Sequence, residues 1–413
     1  MRECHLNLNI TFHNSSTKTH LAFHYIPMIT KLPNITNMIR ALIAKPSISS
    51  CDSAFDSSNH EVINLLAEWL EQLGFSITIH EVAPGKSNLL AKLGGDGVTG
   101  QGLVLSGHTD TVPFDEGQWT YDPFGGVEKD DRLYGLGSCD MKAFFAIAIE
   151  AIKSFENKSF RKPITLLATA DEESTMAGAK FLATNGLKMG RYAVIGEPTG
   201  LKPIRMHKGV MMEKISVHGH AGHSSDPSLG ANAIEGMNRV LNELLAWRKE
   251  LQAKHKNPMF KVDVPTLNFG SIQGGDNPNR ICARCEVSID IRPLPGMDIL
   301  KLRQTMGERI AATLSEFPKL HLESYPLFDG LPAFELPAES EIVKACETLC
   351  NTKAGAVAFG TEAPFLSSLG IETIILGAGN IEQAHQPNEY ISLNQINPMI
   401  HILKGLIKQF CMQ

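Results

Sequence analysis

Several short apolar runs in this chain end at, or just before, a histidine or an acidic residue. The run 103–106 is followed by Gly-His108, and the run 164–170 is followed by Asp-Glu-Glu173. In open α/β sheets, ligands collect in the crevice at the carboxyl ends of the strands. Five side chains with nitrogen or oxygen donors are therefore predicted to converge on one crevice: His108, Asp140, Glu173, Glu197 and His385.

Strand-like and helix-like segments alternate through the first half of the chain. Apolar residues recur every three or four positions over 62–73, which predicts an amphipathic helix that ends at Gly74. The alternation predicts an α/β layer fold with a largely parallel sheet. The remaining predicted segments are strands at 76–82, 88–93, 103–106, 164–169 and 192–195, and helices at 140–155 and from 175.

The pattern changes near residue 205. Strands are predicted at 211–218, 266–272 and 285–291, and helices at 229–247 and 297–314. This strand-helix-strand-strand-helix order is typical of a compact α+β sandwich with one open sheet edge.

The α/β alternation resumes after residue 320, with a helix near 339–349, a strand at 373–376 and a final helix from 393. We therefore predict an inserted domain at residues 205–316 that divides a catalytic domain into residues 28–204 and 317–413. Residues 1–27 show no periodicity and are expected to form a loose extension.

Composition excludes several classes of protein. With 38 basic and 44 acidic residues the net charge is −6, which argues against a nucleic-acid partner because phosphates require clustered Lys and Arg. No run approaches the roughly 18 apolar residues of a membrane span. The first 24 residues lack the apolar core of a signal peptide, so a cytoplasmic location is the default expectation.

Other reactive motifs are not supported. Cys282-x-x-Cys285 and Cys346-x-x-x-Cys350 have spacings that a four-thiolate zinc site could use. The first pair leads into a strand and the second lies one turn apart on a helix, so buried thiols are expected instead. The sequence also lacks a G-x-S-x-G elbow and a glycine-rich loop opening a helix, which disfavours serine hydrolases and nucleotide sites.

The five candidate ligands balance the charge of two divalent cations. Asp140, Glu173 and Glu197 carry three negative charges, and a bridging hydroxide would add a fourth. The neutral imidazoles of His108 and His385 complete the two sets of ligands. Zinc accepts such ligands, and paired metals can activate water and polarise a carbonyl. We predict two divalent ions, with zinc first and cobalt as the alternative.

Two acidic residues next to these ligands are predicted to assist them. Glu172 precedes Glu173 and is free to act as a general base, while Asp110 is placed to accept the second N–H of His108. Each residue also has a structural interpretation: adjacent acids suit a solvated loop or a helix N-terminus, and Asp140 could be a helix cap. The repeated order of apolar strand and donor favours the catalytic interpretation.

The motifs resemble the co-catalytic zinc aminoacylase/carboxypeptidase family from about Met28 to the C-terminus. The resemblance implies a zinc-peptidase-like catalytic domain with a mostly parallel central sheet, plus an inserted α+β domain that serves as a dimerisation domain or lid. It is carried by Ser-Gly-His-Thr-Asp (106–110), Gly-Ser-Cys-Asp-Met-Lys (137–142), Asp-Glu-Glu (171–173), Gly-Glu-Pro (196–198), Gly-His-Ser-Ser-Asp-Pro (222–227) and Gln-Ala-His-Gln-Pro (383–387).

The resemblance also implies residue roles. Asp140 would bridge the metals, with His108 and Glu197 on one ion and Glu173 and His385 on the other. Glu172 would be the general base and His223 would help to stabilise the oxyanion. Arg280 is a candidate for binding the substrate carboxylate, because Arg can grip it bidentately.

The implied reaction is removal of an acetyl group from an N-acylated amino acid by a homodimer. Desuccinylation or dipeptide cleavage is the alternative within the same family. A non-catalytic binding homologue is the alternative from another class, and it predicts a missing ligand or base.

Overall fold

The computed structural model describes residues 32–95, 100–156 and 158–413. The predicted extension at 1–27 lies outside these residues. In chain order the α-helices are α1 (Ile35–Ile43), α2 (His60–Gln72), α3 (Ala143–Lys153), α4 (Ala177–Thr184), α5 (Ala233–Lys254), α6 (Ile299–Ala312), α7 (Glu341–Cys350), α8 (Ala363–Ser368) and α9 (Leu393–Cys411).

The strands form a large sheet and two smaller ones. They are β1 (Ser76–Ala83), β2 (Lys86–Leu93), β3 (Leu103–His108), β4 (Val127–Lys129), β5 (Arg132–Tyr134), β6 (Ile164–Thr169), β7 (Tyr192–Ile195), β8 (Ile204–His207), β9 (Met211–His218), β10 (Thr266–Gly274), β11 (Arg284–Arg292), β12 (His321–Pro326), β13 (Phe334–Glu335), β14 (Gly355–Val357), β15 (Glu372–Ile375) and β16 (Tyr390–Ser392).

The large sheet, which we call the central sheet, has the order β1-β2-β6-β3-β7-β15-β8-β13, with β14 beside β8. Its centre, β6-β3-β7-β15, is parallel, and the adjoining outer pairs are antiparallel. Strands β1 and β2 must be antiparallel because only Pro84 and Gly85 connect them. Every residue of β3, β6 and β7 is buried, as expected for central strands covered on both faces. The predicted α/β class is confirmed.

A four-stranded antiparallel sheet, β10-β11-β9-β12, which we call the small sheet, lies in the second half of the chain. Burial alternates along β11, so one face packs against α5 and α6 to form a separate core. Sequence reasoning missed β12, which pairs with β9 beyond the predicted boundary at residue 316. The division into an inserted and a catalytic domain stays a prediction, but the small sheet itself continues to residue 326.

Several element boundaries differ from those predicted. Helix α5 begins at Ala233 rather than 229, because the Asn232 side chain accepts the N–H of Ile234 and caps the helix there. It also continues to Lys254, beyond the predicted end at 247. Helix α3 begins at Ala143 rather than 140, and its cap position is Lys142, so Asp140 is not the helix cap.

Two structural elements outside the predicted set matter for the site. Helix α1 packs beside α3, and β16 pairs with β5 in a three-stranded sheet that joins the C-terminal region to residues 127–134. The predicted buried thiols are confirmed for Cys282, Cys285 and Cys346, whereas Cys350 is only partly buried. Within the described part of the chain, no helix has both the length and the apolar character needed to cross a bilayer.

Candidate metal centre

The structure brings the five predicted ligands together as two overlapping groups of three. In the first group, His108 Nε2 lies 3.1 Å from Asp140 Oδ1 and 3.9 Å from Glu197 Oε1. In the second group, His385 Nε2 lies 3.5 Å from Asp140 Oδ2 and 3.0 Å from Glu173 Oε1. Asp140 is common to both groups and directs one carboxylate oxygen toward each.

The central sheet explains three of these positions. His108 is the last residue of β3, Glu197 follows the end of β7 by two residues, and Glu173 follows the end of β6 by four. These strands are parallel neighbours, so their carboxyl ends lie at one edge of the sheet. Asp140 and His385 arrive on loops from outside the sheet.

The donor set fits two divalent cations. Within each group the donor atoms lie within 4.8 Å of one another, and all are imidazole nitrogens or carboxylate oxygens. Burial and the neighbouring Asp140 raise the pKa of Glu173 and of Glu197. Packing three carboxylates in a buried site is unfavourable unless cations or protons offset their repulsion. Metal ions would supply that positive charge.

Hydrogen bonding prepares His108 to bind a metal through Nε2. Its Nδ1 lies 3.0 Å from the backbone carbonyl of Asp110, an acceptor for Nδ1–H, so in the neutral imidazole Nε2 is the nitrogen available to a metal. The predicted acceptor was the Asp110 carboxylate, but Oδ1 of that group is 3.7 Å away, beyond a hydrogen bond. Its Oδ2 instead accepts the backbone N–H of Glu173 at 3.0 Å, so Asp110 orients the loop after β6.

Glu172 lies beside the two groups without belonging to either. Burial raises its pKa well above the ordinary range, and the nearby Glu197 and Glu173 act in the same direction, while His108 opposes them. A carboxyl group with a raised pKa close to, but separate from, the ligands can exchange a proton at this site.

Three buried charged residues near the site were missed by sequence reasoning. The Glu389 carboxyl group accepts backbone N–H groups of the loop that carries Asp140. Burial and the nearby Asp140 raise the pKa of Glu389 to about 8, although these hydrogen bonds act to lower it. The Lys142 ammonium donates to the carbonyl of Lys45, and burial lowers its pKa to about 7. Glu362 accepts the Thr169 hydroxyl, and burial raises its pKa to about 7. Their burial, which sequence does not reveal, is what distinguishes them from surface charges.

His223 and Arg280 lie together, away from the five ligands. Their backbones form an isolated antiparallel bridge, and both residues are exposed. His223 Nδ1 accepts the Ser225 hydroxyl at 2.7 Å, and Arg280 forms a surface ion pair with Asp276 at 2.6 Å. Among the hydrogen bonds and ion pairs of the described residues, neither side chain contacts a candidate metal ligand.

The sequence matches the model of peptidase family M20/M25/M40 over residues 104–409. An acetylornithine deacetylase from Proteus mirabilis is 48% identical over 388 residues, covering 93% of this chain and 99% of that protein. An acetylornithine deacetylase from Pectobacterium atrosepticum is 46% identical, covering 93% of this chain and all of that protein.

Solved structures agree in fold. An M20 family metallo-carboxypeptidase from Sulfolobus solfataricus superposes with a TM-score of 0.72 at 19% identity, covering 91% of this chain and 99% of that one. A dinuclear metal-binding M20 peptidase from Bacillus subtilis gives a TM-score of 0.64 at 15% identity, covering 90% and 96%. The resemblance stated from the motifs is confirmed, and this chain belongs to peptidase family M20/M25/M40.

Proposed function

We propose that this chain is a metal-dependent amidohydrolase that converts N2-acetyl-L-ornithine to L-ornithine and acetate. The observation that carries the reaction class is the pair of donor groups sharing Asp140, with Glu172 beside them. The substrate is supported by the acetylornithine deacetylases that this chain matches over nearly their full length. The presence of every ligand and the base argues against a non-catalytic homologue.

Bound divalent ions would activate a water molecule and polarise the acetyl carbonyl. Glu172 would take a proton from that water and later return it to the departing α-amine. Burial raises the pKa of Glu172 above its ordinary range, which favours its holding the proton between the two steps. Asp110 would help to keep Glu173 in place through its hydrogen bond to the Glu173 N–H.

His223 and Arg280 would act on the substrate from a homodimer. We assign His223 to the oxyanion and Arg280 to the substrate carboxylate, in keeping with their exposure and their shared backbone bridge. Their separation from the metal ligands is accounted for if the site is completed by closure of the small sheet or by the partner subunit. The remaining parts of the proposal are zinc as the physiological metal, with cobalt as the alternative, a cytoplasmic location, and a role in arginine biosynthesis.

Steady-state assays of the zinc-loaded and the cobalt-loaded protein test this function. We expect kcat/KM for N2-acetyl-L-ornithine to exceed that for succinyl-diaminopimelate and for a dipeptide. Activity should disappear with a strong chelator and return when two equivalents of metal are restored. Full activity in chelator would refute the metal-dependent mechanism. A preference for the succinylated substrate would instead change the substrate and leave the mechanism in place.

A further inference from the structure

We propose that Glu389 is a positioning residue that holds the bridging ligand Asp140 in place and so sets the affinity for both metal ions together. This inference rests on the proposed metal-dependent function. Glu389 is only 2% exposed, and it lies four residues after His385 in the chain. It contacts the Asp140 loop through its side chain and does not belong to either donor group.

The carboxylate of Glu389 accepts three backbone N–H groups from one turn. Oε1 accepts the N–H of Cys139 at 2.7 Å and that of Asp140 at 3.0 Å, and Oε2 accepts the N–H of Gly137 at 3.1 Å. Three bonds spread over four residues fix the orientation of the turn, and with it the direction of the Asp140 side chain.

The turn needs such an anchor because it belongs to no helix or strand. Residues 137–140 lie between β5 and α3, and Gly137 has φ = 78°, in the left-handed region that favours glycine. A Cβ atom at Gly137 would lie 2.9 Å from the Thr111 methyl group, so the turn is also tightly packed. Hydrogen bonds to Glu389 therefore replace the pairing that regular structure would supply.

A carboxylate is the side chain that suits this arrangement. Both of its oxygens accept, and each keeps an acceptor lone pair whether or not the group carries a proton. Glutamine has nearly the same shape but carries an NH₂ group at one of the two positions. One backbone N–H would then face another donor and lose its partner, and an unsatisfied buried polar group costs about 1–3 kcal/mol.

Glu389 also connects the two loops that carry ligands from outside the sheet. Its backbone carbonyl accepts the N–H of Gly135 at 2.9 Å, and the next residues form β16, which pairs with β5. The segment from His385 to β16 is thus attached to the segment that leads to Asp140. Because Asp140 belongs to both donor groups, a shift of its loop should weaken both ions, whereas loss of Glu173 should weaken one.

The test is metal binding by the Glu389→Gln variant, measured by competition with a chromophoric chelator and by the absorption spectrum of bound cobalt. We expect both binding steps to weaken by about 10–100-fold, as is typical when a residue that orients a ligand is lost. The cobalt spectrum should change, and saturating metal should restore part of the activity. Glu213→Gln is the matched control, since Glu213 is equally buried but binds Arg303 at 2.8 Å in the small sheet. It should leave both affinities unchanged.

Affinities within twofold of wild type in folded Glu389→Gln would overturn the inference, and so would weakening of one ion alone. If Glu389→Gln does not fold, Glu389→Asp keeps both oxygens but withdraws them by one methylene, and it should still weaken both ions. Unchanged binding by that variant, or failure of both variants to fold, assigns Glu389 a purely structural role. Failure of the wild-type protein to bind metal would instead reject the proposed function.

Discussion

The two groups of predicted site residues have very different surroundings. The five candidate ligands lie at the carboxyl edge of the central sheet, where most are buried and Asp140 joins them into two groups of three. His223 and Arg280 lie on the small-sheet side and are exposed, and among the described residues their side chains bond only to close neighbours in sequence. The first group is assembled within one chain, whereas the second makes no contact with it among the described hydrogen bonds and ion pairs. The contrast sets the chemistry that we propose for one subunit alone against the substrate contacts that we propose to need closure or a partner.

Loss of Asp140 should have the largest effect, because it would dismantle both donor groups at once. We expect Asp140→Ala to bind neither ion tightly and to have only background activity. Equilibrium dialysis with metal analysis, combined with the deacetylation assay, measures both quantities. If the variant retains one tightly bound ion, Asp140 does not bridge the two groups.

The next comparison separates the base from a ligand within the buried group. Removing a general acid–base costs about 10²–10⁴-fold in rate, so Glu172→Gln should lower kcat by that range with both ions still bound. Glu173→Gln should instead weaken one ion and leave the other in place. Metal content and kcat, measured on the same preparations, distinguish the two variants. A Glu172→Gln protein that loses an ion but turns over substrate would show that the two roles are reversed.

Variants of the exposed pair should have smaller effects and should not disturb the metals. A hydrogen bond to a charged group contributes about 1.5–3 kcal/mol, so Arg280→Ala should raise KM by roughly 10–100-fold at unchanged metal content. His223→Ala should lower kcat instead. Mixing His223→Ala subunits, which have a lowered kcat, with Glu172→Gln subunits tests whether His223 acts across a dimer. Recovered activity would assign it to the partner's site, and no recovery in a proven mixed dimer would assign it to its own.

The smallest expected effect concerns His207, at the point where the central sheet leads into the small one. Burial lowers the pKa of His207 to about 4, so the folded protein keeps it neutral while the unfolded chain protonates it near pH 6.5. The free energy of unfolding that depends on a neutral His207 has its full value above pH 6.5 and is lost as the pH falls toward 4. Between pH 6.5 and 5.5 the loss is about 1 kcal/mol.

Urea unfolding at several pH values measures this contribution. His207→Phe should show a shallower loss of stability over the same interval. Its stability at neutral pH should be slightly reduced, because the variant loses the hydrogen bond from Nδ1–H to the carbonyl of Lys208. An identical pH dependence in the variant and the wild type would show that His207 is not the group responsible.

Local pattern was sufficient to predict the central strands and the donors at their ends. Strands β3, β6 and β7 are short apolar runs, and an apolar run followed at once by His108 or Glu197 is visible without a structure. Because these residues follow their strands directly in the chain, they lie at one edge of the sheet once the strands pair in parallel. The family could be recognised partly for the same reason, since its motifs at 106–110, 171–173 and 196–198 lie at these strand ends.

Tertiary structure decided the matters that depend on contacts between distant segments. The separation of β12 from β9 by about a hundred residues hid their pairing, because strand pairing is not encoded by either strand alone. The partner of the His108 imidazole was a backbone carbonyl rather than the predicted carboxylate, and such a choice depends on the exact loop path.

The position of Glu389 in the site could not be predicted from the sequence for the same reason. By residue type it is one acidic residue among 44, and its sequence neighbours give no sign that it is buried. Only the fold brings it to the turn at 137–140, about 250 residues earlier in the chain, where three N–H groups lack a strand or helix to pair with. The sequence by itself determined which side chains could bind metal, because donor chemistry is a property of the residue. The tertiary structure decided how those side chains are held, because burial and hydrogen bonding arise only when distant segments meet.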